Sequence, residues 1–285
     1  MSSHKNKERH SNIMEKENNK IEKEMRIAVL IDAENISSKY TDVILSEANA
    51  LGNVIYKRIY GDWTKQIMGS WKDVILDNSI QPIQQYSNTS GKNSTDSSLI
   101  IDTMDLLNSG RINGFCIVSS DSDFTRLAAR LRESEMYVLG MGEQKTPRSF
   151  ISACNKFSYL DILYATSKKI TDEENEEQKD FAVIKQNSSN GNNGKYKPIV
   201  NKPKIKAAKT GSDIERIKMT LKYLAEEHSD DDGWIYSAEL GNLLNKQFPD
   251  FDVRNFGHNK FVRFIESLDL FESKRNNTNL CFKLK

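Results

Sequence analysis

Cysteine is scarce and scattered in this 285-residue chain, at 116, 154 and 281 only. A zinc ribbon or a disulfide framework needs close paired spacing, so neither is expected. Histidine is nearly as rare, with four residues of which two are His4 and His10 in the N-terminal tail, which disfavours a His-based metal site. No apolar run approaches the ~20 residues that span a bilayer, and the first 25 residues carry no apolar signal-peptide core. A soluble, cytoplasmic protein with no membrane partner is expected. The net charge is only +1, so any surface for nucleic acid must be a local patch. No glycine-rich loop follows the first strand, which disfavours a nucleoside triphosphatase or a dinucleotide dehydrogenase. The serines lack a histidine partner, which disfavours a Ser-His-Asp hydrolase.

What the chain does have is acids at strand ends. Phe115-Cys-Ile-Val118 is a short apolar run with the character of a strand buried on both faces. Ser119-Ser120 follows, then Asp121 and Asp123, then a helical pattern at Phe124, Leu127, Ala128 and Leu131. One acid there is an ordinary helix cap; two call for partners. Arg26–Asp32 is a second buried-strand run, ending on Asp32 with Glu34 and Asn35 behind it. Asp96 opens the helix that leads into the Phe115 strand. In an open α/β sheet, chemistry gathers outside the carboxyl ends of adjacent strands. Carboxylates gathered in one crevice repel one another unless a cation neutralises them, and hard oxygen ligands suit Mg²⁺ or Mn²⁺. The candidate catalytic set is therefore Asp32, Asp96, Asp121 and Asp123, with Asn35 placed to orient a water or touch a phosphate. Each of these residues alone is equally at home in a turn or a helix cap. Asp102 sits six residues beyond Asp96, about 240° around a helix, and is expected on another face, as is Asp105. Glu34 and Asp62 read as outer groups or plain surface acids.

Taken in order, residues 1–25 read as a disordered tail. Strands are expected at 26–32, 53–60, 80–86, 115–118 and 136–142, with helices at 38–51, 65–77, 94–107 and after Phe124. Thr146-Pro147 reads as a helix start, with Pro at the first helical position. Strands alternating with helices predict an α/β, mainly parallel sheet with right-handed crossovers, in the order 3-2-1-4-5. Residues 26–166 form this domain. A linker follows over 167–211; from 181 to 212 it has seven lysines and no acid. Residues 212–285 show three helical patterns and then alternation around Asn276–Asn279, a small winged helix-turn-helix with a two-stranded wing. Lys260, Arg263, Lys274 and Arg275 give it positive charge, opposed by Glu226-Glu227 and Asp230–Asp232. Lys92 lies in the polar loop ahead of Asp96.

Four blocks carry a resemblance. They are Ile31-Asp-Ala-Glu-Asn35, Gly91-Lys-Asn-Ser-Thr-Asp96, Val118-Ser-Ser-Asp-Ser-Asp-Phe124, and Gly142-Glu-Gln-Lys-Thr-Pro147 with Ala153-Cys-Asn-Lys-Phe157. Together they resemble the NYN domain, the branch of the PIN-like nuclease superfamily that includes the LabA-like bacterial proteins. Gly233-Trp234, Leu240-Gly241 and Phe256-Gly257 before the wing resemble the OST-HTH or LOTUS domain, a winged-helix RNA-binding module. The resemblance implies a PIN-like sheet and a metal-dependent endoribonuclease. Asp32, Asp96 and Asp121 would be the Mg²⁺ or Mn²⁺ ligands, assisted by Asp123, and RNA the partner. Two departures stand out: Asn155 where an Asp is expected, and Ala33 where many relatives carry Gly. The rival expectation is a non-catalytic RNA-binding regulatory protein. A phosphotransfer domain built on Asp32 fares worst, because no second Asp stands two residues on. Homo-oligomerisation is left open.

Overall fold

The structure, a computed structural model, describes residues 25–86, 94–168, 211–276 and 279–285. The expected N-terminal tail, the loop bearing Lys92, nearly all of the basic linker and the tip of the wing lie outside the described residues. By internal contacts the chain divides into two compact units, before and after the Asn155/Lys156 junction.

The first unit is built on β1 (Arg26–Asp32), β2 (Asn53–Gly61), β3 (Gln81–Gln84), β4 (Gly114–Val118) and β5 (Tyr137–Gly142). Ile27 to Ile31 in β1 and Phe115 to Val118 in β4 are wholly buried. Such unbroken apolar runs are what a parallel sheet covered on both faces requires. β1 pairs in parallel with β2 on one side and β4 on the other, with Ile31 opposite both Ile59 and Val118. β2 pairs with β3 and β4 with β5, also in parallel. Connections from β1 run outward through β2 and β3, and the chain then returns to place β4 on β1's other side. This reversal opens a crevice at the carboxyl ends of β1 and β4.

The full order is 3-2-1-4-5-6, one strand more than expected. The sixth strand, β6 (Lys156–Tyr159), is followed by helix at 160–168. Its four residues are too short for a period-two pattern to separate them from the helix they precede.

The helices of this unit are α1 (Thr41–Leu51), α2 (Lys72–Asp77), α3 (Ser94–Asn108), α4 (Thr125–Glu133) and α5 (Arg148–Ala153). Three expectations are corrected in detail. Helix was expected continuously over 65–77, whereas Gln66–Trp71 is a 3-10 turn and only Lys72–Asp77 is α-helical. Pro147 stands outside α5 as its N-cap, in an extended conformation. The Thr146 hydroxyl donates to the Glu143 carbonyl at 2.6 Å, so it closes the preceding turn and does not cap the helix.

The second unit contains α6 (Gly211–His228), β7 (Ile235–Tyr236), α7 (Ser237–Gln247), α8 (Phe261–Leu268), β8 (Phe271–Asn276) and β9 (Asn279–Leu284). Leu221, Leu240, Leu244, Phe264, Ile265 and Phe282 form its core. Burying each such side chain contributes about 1.5–3 kcal/mol. Gly257 at φ 80° and Asp269 at φ 53° turn the chain before and after α8. The wing is more than a hairpin: β7 pairs with β9, giving a three-stranded antiparallel sheet. Among the described residues, no helix is long and apolar enough to cross a membrane.

Candidate metal centre

Asp32 is the last residue of β1 and is 1 % exposed. Its Oδ2 accepts from the Ser119 hydroxyl at 2.8 Å and from the Asn35 amide at 2.7 Å. Its Oδ1 accepts from the Glu34 backbone N–H at 3.1 Å. Burial pushes this carboxyl above the ordinary range, and the bonds from Asn35, Ser119 and Glu34 oppose that displacement. Ser119, just past β4, also accepts from the Asp121 N–H at 3.1 Å. One hydroxyl thus joins the acid that ends β1 to the acidic turn that follows β4.

Asp121 accepts from the Asp123 N–H at 3.0 Å and caps the 3-10 turn Ser122–Phe124 ahead of α4. The capping role considered for this acid is therefore real, and it does not exhaust what the acid does. Asp96 stands in the first turn of α3. One carboxylate oxygen from each of Asp96, Asp121 and Asp123 lies within 4.8 Å of the others. Asp96 and Asp121 are partly buried and Asp123 is exposed. Asp96 is pushed up to about 6, first by burial and then by the negative charges of Asp32, Asp121, Asp123 and Glu34. Three converging carboxylates, with their negative charges this close, form a donor set suited to a hard divalent cation, which removes the repulsion.

The structure brings Asp96, Asp121 and Asp123 together. It leaves Asp32 beside this trio as a buried, hydrogen-bonded neighbour whose charge Asp96 feels. Asn35 is engaged with Asp32 through its amide nitrogen. Glu34 pairs with Lys65 at 2.7 Å. Asp62 accepts from the Thr64 hydroxyl at 2.6 Å and the Gln84 amide at 3.1 Å, tying the ends of β2 and β3 together. Asp102 is on another face of α3, where Arg58 and Tyr60 of β2 both bond to it. Burial and the adjacent Asp102 carboxylate push the Tyr60 phenol upward. Asp105 is exposed. Of the residues that depart from the resembled pattern, Asn155 accepts from the Val138 N–H at 2.8 Å, and Ala33 is buried beyond the end of β1.

Two contributors were not visible as site residues in the sequence. Ser119 reads there as one of two linker serines; only the neighbouring β1 reveals its role. Gly142 ends β5 where a Cβ would meet the Ser119 carbonyl and the Thr146 hydroxyl at 2.6 Å, and the Ser120 hydroxyl at 3.0 Å. The Glu143 N–H then bonds the Ser120 hydroxyl at 2.9 Å. The turn from Gly142 to Thr146 is thus the backing against which the Ser119–Asp121 segment is set. In the second unit, Lys260 and Arg263 are exposed, with Arg263 paired to Glu266 at 3.3 Å. Lys274 and Arg275 are exposed on β8.

Residues 26–161 match the NYN domain family, and 212–281 match the OST-HTH/LOTUS domain family. The chain carries an NYN domain followed by an OST-HTH/LOTUS domain. The NYN match runs past the division between compact units, because it takes in β6. No curated protein matches the chain significantly. A solved structure of a Vibrio parahaemolyticus protein of unknown function is 16% identical, covering 47% of this chain and 91% of that one, with a TM-score of 0.41. A nuclease-like NYN domain joined to an RNA-binding OST-HTH/LOTUS domain supports a role in RNA processing.

Proposed function

We propose that this protein is an endoribonuclease dependent on Mg²⁺ or Mn²⁺, and that its OST-HTH/LOTUS domain holds the RNA. The observation that carries the reading is the convergence of Asp96, Asp121 and Asp123 within 4.8 Å at the carboxyl edge of an NYN sheet. These three acids supply the ligand oxygens, and Asp32 is the fourth acid of the site. Bound there, a divalent ion supplies charge neutralisation at a phosphodiester and a more acidic water.

The remaining work falls to the chain's own groups. The Ser119 hydroxyl and the Asn35 amide fix the Asp32 carboxylate in one orientation. The same serine holds the backbone of Asp121, so the two strand ends cannot drift apart independently. Asp96 is held by α3 across the crevice, where burial and the neighbouring acids raise its proton affinity and a bound cation would oppose that rise. A second RNA-binding surface on the same chain raises the effective concentration of RNA at the acids.

Pure protein incubated with labelled single-stranded RNA, with and without Mn²⁺ or Mg²⁺, tests this reading. Wild type should cleave only with metal, and Asp121→Asn and Asp96→Asn should lower the rate by orders of magnitude while RNA binding persists. Intact RNA with wild type in both metals would sink the nuclease reading and leave an RNA-binding regulator in its place.

A further inference from the structure

The sheet of the OST-HTH/LOTUS domain has an outer face whose composition its own packing does not require. Across an antiparallel ladder, directly opposed residues point to the same side. Ile235, Phe282 and Ser273 form one row, since Phe282 pairs with both of the others. Ile235 and Phe282 are buried in the core, so this row faces inward. The next row, Tyr236–Cys281–Lys274, must face outward. Cys281 is covered, but Tyr236 is 48% exposed and Lys274 is exposed. Beyond it on the same side, Lys283 pairs with Glu272, and Trp234 precedes β7 at that edge. The Lys274 ammonium lies 5.4 Å and the Lys283 ammonium 5.9 Å from the centre of the Trp234 ring. Two aromatic rings and two ammonium groups therefore share one outward surface.

We propose that this face binds single-stranded RNA, with unpaired bases stacked on Tyr236 and Trp234 and phosphates beside Lys274 and Lys283. Aromatic rings interleaved with cations suit a strand whose bases offer open π-faces. A duplex has already spent those faces on its own stacking. Charge argues for the same emphasis. Glu272 lies on this face, the Asp232 backbone carbonyl accepts from Lys283 at 2.8 Å, and the Asp230 carboxylate accepts from the Trp234 backbone N–H at 2.7 Å. With acids so near, phosphate neutralisation alone is weak, and stacking carries the affinity. The salt dependence should accordingly be shallow. The inference rests on the reading of this domain as the RNA-holding module and adds to it the surface and the strandedness of the ligand.

The full-length protein in EDTA, titrated against a fluorescent A12 oligonucleotide and a 12-base-pair RNA duplex and followed by anisotropy, tests it. The single strand should bind more tightly. Tyr236→Ala should weaken that binding about 5- to 150-fold, the range for one lost stacking platform. Tyr236→Phe should stay within about two-fold of wild type, since it keeps the ring. Met219→Ala, an exposed change on α6, should bind as wild type does. Melting curves of each variant exclude unfolding as the cause. Unchanged binding by Tyr236→Ala, or loss through Lys260→Ala and Arg263→Ala with preference for duplex, overturns the inference. Cleavage by wild type in Mn²⁺ alongside an indifferent Tyr236→Ala would sink this surface and leave the nuclease standing. Ring-dependent binding without any cleavage would do the reverse.

Discussion

The acids of the NYN domain should destabilise it when no cation is present, and Asp96 is where this can be measured. Its carboxyl is pushed from 3.8 to about 6. The folded state therefore holds this proton more tightly than the unfolded chain does. The associated stability is fully present below about pH 4 and is lost as pH rises through 6. A displacement of that size corresponds to at most about 3 kcal/mol. Asp96 is only partly buried, so solvent screening reduces this to about 1 kcal/mol. For a unit of this size that is a melting shift of about 3 °C. The assay is differential scanning calorimetry of wild type and Asp96→Asn in EDTA at pH 4, 5, 6 and 7. Comparing the two proteins at each pH cancels the titration of groups that do not interact with Asp96. The variant's advantage over wild type should grow between pH 4 and pH 6 and then level off. Saturating Mn²⁺ should reverse the order, because wild type gains by mass action what the variant has lost the charge to gain. Parallel melting curves across the pH series, or equal Mn²⁺ gains in both proteins, would rule out this role for the Asp96 charge.

Other perturbations test the supports of the site. Gly142→Ala forces a methyl group into contacts of 2.6 Å with the Ser119 carbonyl and the Thr146 hydroxyl. It should cost about 1–3 kcal/mol and lower cleavage further than the stability loss explains, read by calorimetry and a single-turnover assay. Ser119→Ala removes the donor to Asp32 and the acceptor of the Asp121 N–H. A loss of about 1–3 kcal/mol on thermal denaturation is expected, with weakened Mn²⁺ protection. Asp102→Asn disturbs the partner shared by Arg58 and Tyr60 and should destabilise by about 2 kcal/mol. Asp105→Asn, on an exposed side chain of the same helix, should melt and cleave as wild type does.

The layers of the NYN domain, and the acids it offers, are already written in the local pattern of the chain. Runs such as Ile27–Ile31 and Phe115–Val118 are apolar without interruption, and only a strand covered on both faces buries every residue of such a run. An acid at or just after the end of such a run sits at the strand's carboxyl end, so the local pattern placed Asp32 and Asp121 each at a strand end, and the expected parallel sheet put those ends at one edge. Helical angle alone separated Asp102 from Asp96. Local pattern could not reach what depends on neighbours distant along the chain. That Ser119 binds Asp32, 87 residues away, follows from the pairing of β1 with β4. The packing of α3 against the turn that follows β4 brings Asp96 to Asp121 and Asp123, while Asp32 is held by hydrogen bonds beside them. The backing role of Gly142 arises from strand ends meeting in space, and a lone glycine after a strand carries many other meanings. In the OST-HTH/LOTUS domain the two residues of β7 are too few to leave a periodic signal. Their pairing with β9 sets Tyr236, Lys274 and Trp234 on one face. Residue type and period are properties of a segment, but a site is a property of which segments the sheet makes adjacent.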